Sequence, residues 1–216
     1  MPLEKMDDFF TTRVEDYDEH MTNNVTGCAE GYQKMANLVS PNTQKLLDLG
    51  CGTGLELAPI FRKIPNVSVT GVDMTAAMLE KLLKKYPDKD VQTICASYFD
   101  VDFGKEVYDT AVSFQTMHHF THEKKQGLYT KILKSLKDGG QYIECDYMVV
   151  DQADEDFYFA ENEHIRKEQG IPEGEFYHYD TPCTIDNQIK LFLAAGFSKA
   201  EKVWRKENTT IIVATK

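Results

Sequence analysis

The run Leu46-Leu47-Asp48-Leu49-Gly50-Cys51-Gly52-Thr53-Gly54 constrains this 216-residue chain more than any other stretch. A short apolar segment ends in an acid, and three glycines then alternate over five positions. That pattern describes a strand handing over to a helix through a turn of bare backbone. Gly50 and Gly52 lack Cβ, so they can take positive φ and let a ligand lie against the main chain. A helix expected from about Gly54 to Lys63 would aim its unpaired N–H groups at the same spot. The chain is therefore expected to fold as an α/β protein around a nucleotide-type cofactor site.

Two details select the cofactor. A dinucleotide fingerprint needs G-x-G-x-x-G, but the sixth position counted from Gly50 is Leu55, so the third glycine comes one residue early. Asp48 would repel a pyrophosphate and suits a cationic group such as an α-ammonium. Val67–Asp73 reads as a second strand ending in an acid, and Asp73 stands near the ~20-residue spacing of a ribose-binding carboxylate. An adenosine carrying a positively charged amino-acid tail is S-adenosylmethionine.

The motifs occur in a fixed order: the glycine turn, Asp73, Phe114-Gln115-Thr116-Met117-His118-His119-Phe120, and Leu136-Lys137-Asp138-Gly139-Gly140. With these the chain resembles the class I S-adenosylmethionine-dependent methyltransferases from about Gln44 to its C-terminus. The resemblance implies a Rossmann-like, doubly wound, three-layer αβα fold. Its seven-stranded sheet would be mostly parallel with an antiparallel last strand. It implies S-adenosyl-L-methionine as cofactor and S-adenosyl-L-homocysteine as product. Asp48, Gly50, Cys51, Gly52 and Gly54 would serve the methionine moiety, Asp73 the ribose and Met74 the adenine face. Ala96 and Ser97 follow the third strand, where relatives often place an acid on the adenine amino group, and Gln115 follows the fourth.

Bulk properties agree with one cytoplasmic domain over residues 1–216. The 42% hydrophobic content supplies a substantial core, and no window approaches the ~18 apolar residues of a membrane span. The N-terminal acids Asp7 and Asp8 are unlike a signal peptide. Five cysteines without metal-ligand spacing suit a reducing compartment, and a net charge of −11 disfavours nucleic acid as a partner. No membrane association is expected, and the chain is read as a monomer or homodimer. Residues 1–40 are expected as two capping helical pieces. Residues 151–183 are read as a lid-like insertion, a solvated acidic helix followed by an aromatic loop, Phe176-Tyr177-His178-Tyr179.

The acceptor is expected to be a small molecule, neutral or cationic. Methyl transfer needs a base only where the nucleophile is protonated, and His119 and His118 are the candidates at the fourth strand's exit. Adjacent histidines usually diverge, so only one of them is expected to face the substrate and no metal is expected. Tyr17, Asp146, Tyr147, His178 and Tyr179 are substrate candidates, Asp146 being either a ligand or a helix cap. Two alternatives share the fold. One is a carboxy-S-adenosylmethionine synthase-like or tRNA-modification enzyme, which would need an arginine for the extra carboxylate; Arg166 and Arg205 are the distant choices. The other is a non-catalytic cofactor-binding protein.

Overall fold

A computed structural model describes residues 2–216. Seven strands form one sheet in the order β3-β2-β1-β4-β5-β7-β6. They are β1 (Lys45–Leu49), β2 (Ser68–Asp73), β3 (Val91–Cys95), β4 (Tyr108–Phe114), β5 (Leu136–Tyr147), β6 (Lys199–Lys206) and β7 (Thr209–Thr215). The first five run parallel, and β7 is antiparallel to both β5 and β6. The helices are α1 (Met6–Arg13), α2 (Tyr17–Asn23), α3 (Cys28–Leu38), α4 (Leu57–Lys63), α5 (Ala76–Lys85), α6 (His122–Ser135), α7 (Gln152–Glu168) and α8 (Ile185–Ala195).

The central position of β1 explains its composition. Leu46, Leu47, Asp48 and Leu49 are all fully buried, because helices cover both sheet faces. One apolar core lies between the sheet and α6 and α8, with Tyr129, Ile132, Tyr142 and Phe192 at its centre. The other lies between the sheet and α3 and α4, around Met35, Leu46, Leu57 and Ile60. Tyr32 belongs to this second core and stacks on Phe114 at 4.0 Å, so it packs the sheet instead of lining the site.

Several boundaries differ from expectation, each for a local reason. The N-terminal region forms three helices, because a turn at residues 14–16 separates α1 from α2 in addition to the break before α3, where Gly27 takes φ +90°. The helix after the glycine turn begins at Leu57, since Gly54 at φ +73° ends the turn outside helical geometry. Thr75 precedes α5 but makes no side-chain cap; Asp73 Oδ1 accepts from Thr75 N instead, at 2.8 Å. Met78, Leu79 and Leu82 of α5 are buried as their spacing predicts, whereas Leu83 is exposed. Lys137–Gly140 belongs to β5, where an irregular register leaves Leu136 opposite Tyr108 and Gln141 opposite Thr110.

Two contacts bring the N-terminal helices over the carboxyl ends of the strands. Residues 4–6 pair with the loop after α7: Met6 N donates to Phe176 O at 3.1 Å, and His178 N donates to Glu4 O at 2.9 Å. Asp18 of α2 forms an ion pair with Lys85 of α5 and accepts from Thr53 Oγ1 of the glycine turn. Lys81 Nζ donates to the carbonyls of Val14 and Glu15 just beyond α1.

Candidate active site

The glycine turn has the backbone its sequence demands. Gly50, Gly52 and Gly54 have φ of +67°, +46° and +73°. A Cβ on Gly50 would lie 2.5 Å from Thr116 Oγ1, so the β1 and β4 exits touch here through a position with no side chain. A Cβ on Gly52 would be in ordinary van der Waals contact with the Tyr17 ring, 3.9 Å away. Asp73 holds the turn, its Oδ2 accepting from Gly52 N at 2.9 Å. Gly50→Ala combines positive-φ strain with this clash. It is expected to abolish measurable cofactor binding and to lower the melting temperature; full binding by this variant would show that the turn is not the ligand seat.

Beside the turn is a narrow cavity lined by Gly50, Gly52, Asp73, Met74, Ala96, Ser97, Gln115 and His119. With Tyr17, nine of the predicted residues line it. Met6, Phe10, Met78, Tyr98, Thr116 and Phe176 also line it and were not among the expected site residues. The aromatic loop was the only signal for Phe176, and nothing local marked Met6 or Phe10.

Three predicted cofactor residues do not line this cavity. Cys51 is buried in the α3–α4 core and fills the space above Gly71, where a Cβ would meet its Sγ at 2.8 Å. Gly54 admits Tyr86 and Leu82, which would lie 3.0–3.1 Å from a Cβ there. Asp48 is fully buried behind the turn, and neither carboxylate oxygen has a hydrogen-bond partner among the described residues. Burial, and then the charges of Glu56 and Asp73, raise its pKa well above the usual carboxylate range. Glu56, which sequence reading passed over, is pushed up to about 8, chiefly by burial.

A wider cleft of about 840 Å³ adjoins this cavity and shares Phe10, Tyr17 and Gln115 with it. His118, Tyr147, His178 and Asp180 also line the cleft. Gln115 has φ +52°, unusual for a side chain with a Cβ, and its Nε2 donates to Thr209 Oγ1 at 3.3 Å. His178 stacks on Phe9 with 3.5 Å between ring centroids. The Tyr147 hydroxyl meets that of Tyr158 at 3.2 Å.

The two histidines, in a 3₁₀ turn at Met117–His119, have opposite electrostatics. His118 Nδ1 lies 2.6 Å from Asp146 Oδ1, and its Nε2 lies 3.4 Å from Asp180 Oδ1. Burial alone would favour the neutral ring, but these carboxylates override it and raise the pKa to about 10. Both ring nitrogens of His118 thus face carboxylates, and the ring does not line the cofactor-type cavity. Asp146 is 1% exposed, lines neither cavity and holds His118. Tyr179 also lines neither cavity, and what it contributes is its carbonyl, 3.1 Å from His119 Nδ1. A carbonyl only accepts, so Nδ1 carries the proton and Nε2 the lone pair. Burial, then the His118 cation, hold the His119 pKa well below its usual range. His119 is thus a neutral imidazole in the cavity wall.

Residues 46–140 match a family model described as "Methyltransferase domain". The chain carries a methyltransferase domain, and its structural neighbours are class I S-adenosylmethionine-dependent methyltransferases. It is 25% identical to the carboxy-S-adenosyl-L-methionine synthase of Campylobacter lari, over 100% of this chain and 97% of that protein. Among solved structures, a provisionally assigned O-methyltransferase from Nostoc punctiforme superposes with a TM-score of 0.74 at 23% identity. That alignment covers 99% of this chain, which spans only 62% of the Nostoc protein. The complex of DhpI with S-adenosylhomocysteine superposes with a TM-score of 0.72 at 13% identity, covering 96% of this chain and 93% of that one. These superpositions carry the fold, and the seven-stranded sheet with antiparallel β7 is that of the class I methyltransferases.

The site fits the methyltransferase cofactor. Gly50, Gly52, Asp73 and Met74 line one cavity, and a carboxyl without a hydrogen-bond partner among the described residues, Asp48, lies behind the turn. S-adenosylmethionine supplies an activated methyl on a sulfonium, so the protein's task is to orient the acceptor and manage its proton. No helix among the described residues is long and apolar enough to cross a membrane.

Proposed function

We propose that this methyltransferase acts on a small acceptor held in the cleft between α1–α2, the β4 and β5 exits and the 176–180 segment. One observation carries the reading: the cofactor-type cavity and the cleft meet along Phe10, Tyr17 and Gln115, with His119 lining the cavity and its neighbour His118 lining the cleft. An acceptor in the cleft would present its nucleophile to a methyl group on the other side of that junction. Asp73 would hold the ribose, Met74 the adenine, and Gly50 and Gly52 the methionine backbone. A cationic ligand group near the turn would draw the buried Asp48 carboxyl toward ionisation. His119 Nε2 would take the proton of a hydroxyl or amine. Tyr17, Tyr147 and His178 would form the acceptor's walls, under a lid made by residues 151–183 and the N-terminal helices. The cleft suits a small aromatic or heteroaromatic acceptor better than a nucleic acid.

The test begins with calorimetry on the purified protein. S-adenosylmethionine is expected to bind in the micromolar range and NAD not at all. Panels of small hydroxylated and amino acceptors are then screened by mass spectrometry for methylated product. Binding of NAD in place of S-adenosylmethionine would overturn the cofactor assignment, and cofactor binding without turnover on any acceptor would support the non-catalytic alternative.

The full-length similarity to carboxy-S-adenosyl-L-methionine synthases favours a second reading, in which the cofactor itself gains a carboxylate. Against it, Arg166 Nη2 donates to the carbonyls of Pro172 and Glu175, and Arg205 donates to Glu207 O and Asn208 Oδ1. Neither arginine lines the cavity or the cleft. Mass spectrometry of the ligand that co-purifies distinguishes the readings, because the carboxylated cofactor is heavier by one carbon dioxide.

A further inference from the structure

The rings of His118 and His119 do not diverge. Their centroids are 4.1 Å apart, and both turn a nitrogen toward Asp180. We propose that His118 Nε2, His119 Nδ1 and Asp180 form a binding site for a zinc-type divalent cation, and that filling it withdraws His119 from proton transfer. The second half of this statement rests on the proposed function; the first does not.

Three observations carry the site. The separations are wrong for hydrogen bonds and right for coordination. His118 Nε2 and His119 Nδ1 lie 3.4 and 3.5 Å from Asp180 Oδ1, beyond a good N–H···O bond. Bonds of ~2.1 Å to a tetrahedral zinc put neighbouring ligand atoms ~3.4 Å apart. The Tyr179 carbonyl, 3.1 Å from His119 Nδ1, stands within reach as a fourth oxygen. Next, Asp146 engages His118 through Nδ1 at 2.6 Å and so presents Nε2 to the site, the support that metal-binding imidazoles ordinarily have. Finally, His118 and Asp180 line the open cleft, which gives an ion a way in.

A second group of ligand-type side chains, His122, Glu155 and Cys183, fails the same scrutiny. The buried Lys125 ammonium lies 3.1 Å from Cys183 Sγ and would repel an incoming cation. Glu155 is already taken up by Thr184 N and Asn187 Nδ2. Among the described residues no lysine or arginine is paired with the three ligands, and the charges of Asp146 and Asp180 match a divalent ion once His118 has given up its Nε2 proton.

Coordination through His118 Nε2 would release that nitrogen's proton to solvent while Nδ1–H stays toward Asp146. Coordination through His119 Nδ1 would break the hydrogen bond to Tyr179 and move the ring proton to Nε2. His119 would then have no lone pair for a substrate proton, and the bound cation would inhibit methyl transfer.

Chelator-treated full-length protein, free of cofactor and acceptor, is titrated with Co²⁺ by absorption and with Zn²⁺ by calorimetry. The expected result is one ion per chain, with visible cobalt bands and no thiolate-to-cobalt charge-transfer band. Asp180→Asn should weaken Zn²⁺ at least tenfold, whereas Cys183→Ser should leave it unchanged. Absence of binding, a thiolate band, or unchanged affinity in Asp180→Asn would overturn the site. The cobalt spectrum is read on the unmutated protein, so a variant that fails to fold does not blunt the test. Saturating Zn²⁺ should also stop methyl transfer. If zinc binds at this site and kcat is unaffected, the inhibitory half is wrong while the site stands.

Discussion

Replacing His119 by glutamine is expected to lower kcat by about 10²–10⁴-fold, the usual contribution of a positioned general base. Glutamine approximates the ring's reach and its amide can still donate to the Tyr179 carbonyl, but it cannot take a proton. The S-adenosylmethionine Kd should change by less than about threefold, under 1 kcal/mol. This split between kcat and Kd is the diagnostic feature, because a purely structural role would alter binding, folding and turnover together. Stopped-flow turnover alongside calorimetry reads both quantities. A variant that keeps wild-type kcat would remove His119 from the chemistry and leave orientation of the acceptor as the source of the rate. His118 makes the useful contrast. Already paired on both sides by Asp146 and Asp180, it should affect activity only through the position of its neighbour.

Asp73→Ala is expected to weaken S-adenosylmethionine by about 10–100-fold, since each buried donor left without its acceptor costs ~1–3 kcal/mol. The carboxylate serves the protein before it serves any ligand: Gly52 N and Thr75 N both donate to it. Each oxygen retains a second lone pair for a ribose hydroxyl. The substitution therefore removes a ligand contact and loosens the turn at the same time. Asp73→Asn keeps one acceptor oxygen and should lie between wild type and alanine. Calorimetry on the three proteins checks this order, and an alanine variant with unchanged affinity would take Asp73 out of the cofactor site.

What the sequence disclosed about the fold and the site was whatever is encoded locally. The glycine turn and Asp73 lie within thirty residues, and their spacing brought Gly50, Gly52 and Asp73 to one cavity, to which the family resemblance added Met74. Strand parity puts Glu144 and Asp146 on one face of β5, where both are buried acids that need partners. It could not name those partners, which come from elsewhere in the fold: Tyr129, Tyr142 and Gln188 for Glu144, and His118 for Asp146. The same limit hid Met6 and Phe10, which reach the cavity only because residues 4–6 cross to the loop after α7. Cys51 and Gly54 were assigned to the ligand because they belong to the motif. Their side-chain volumes instead answer to Gly71, Tyr86 and Leu82 on the far side of the turn. A motif thus mixes residues that touch a ligand with residues that let the turn exist, and spacing does not separate them.

The crossing of residues 4–6 with 176–178 is made by main-chain groups: the Met6 and His178 amides and the Phe176 and Glu4 carbonyls. Any non-proline side chain leaves such a pairing available. Both segments are therefore free to change their side chains, and with them the texture of the wall facing the acceptor, without losing their grip on each other. A fold closed in this way can diversify what it accepts while keeping how it shuts.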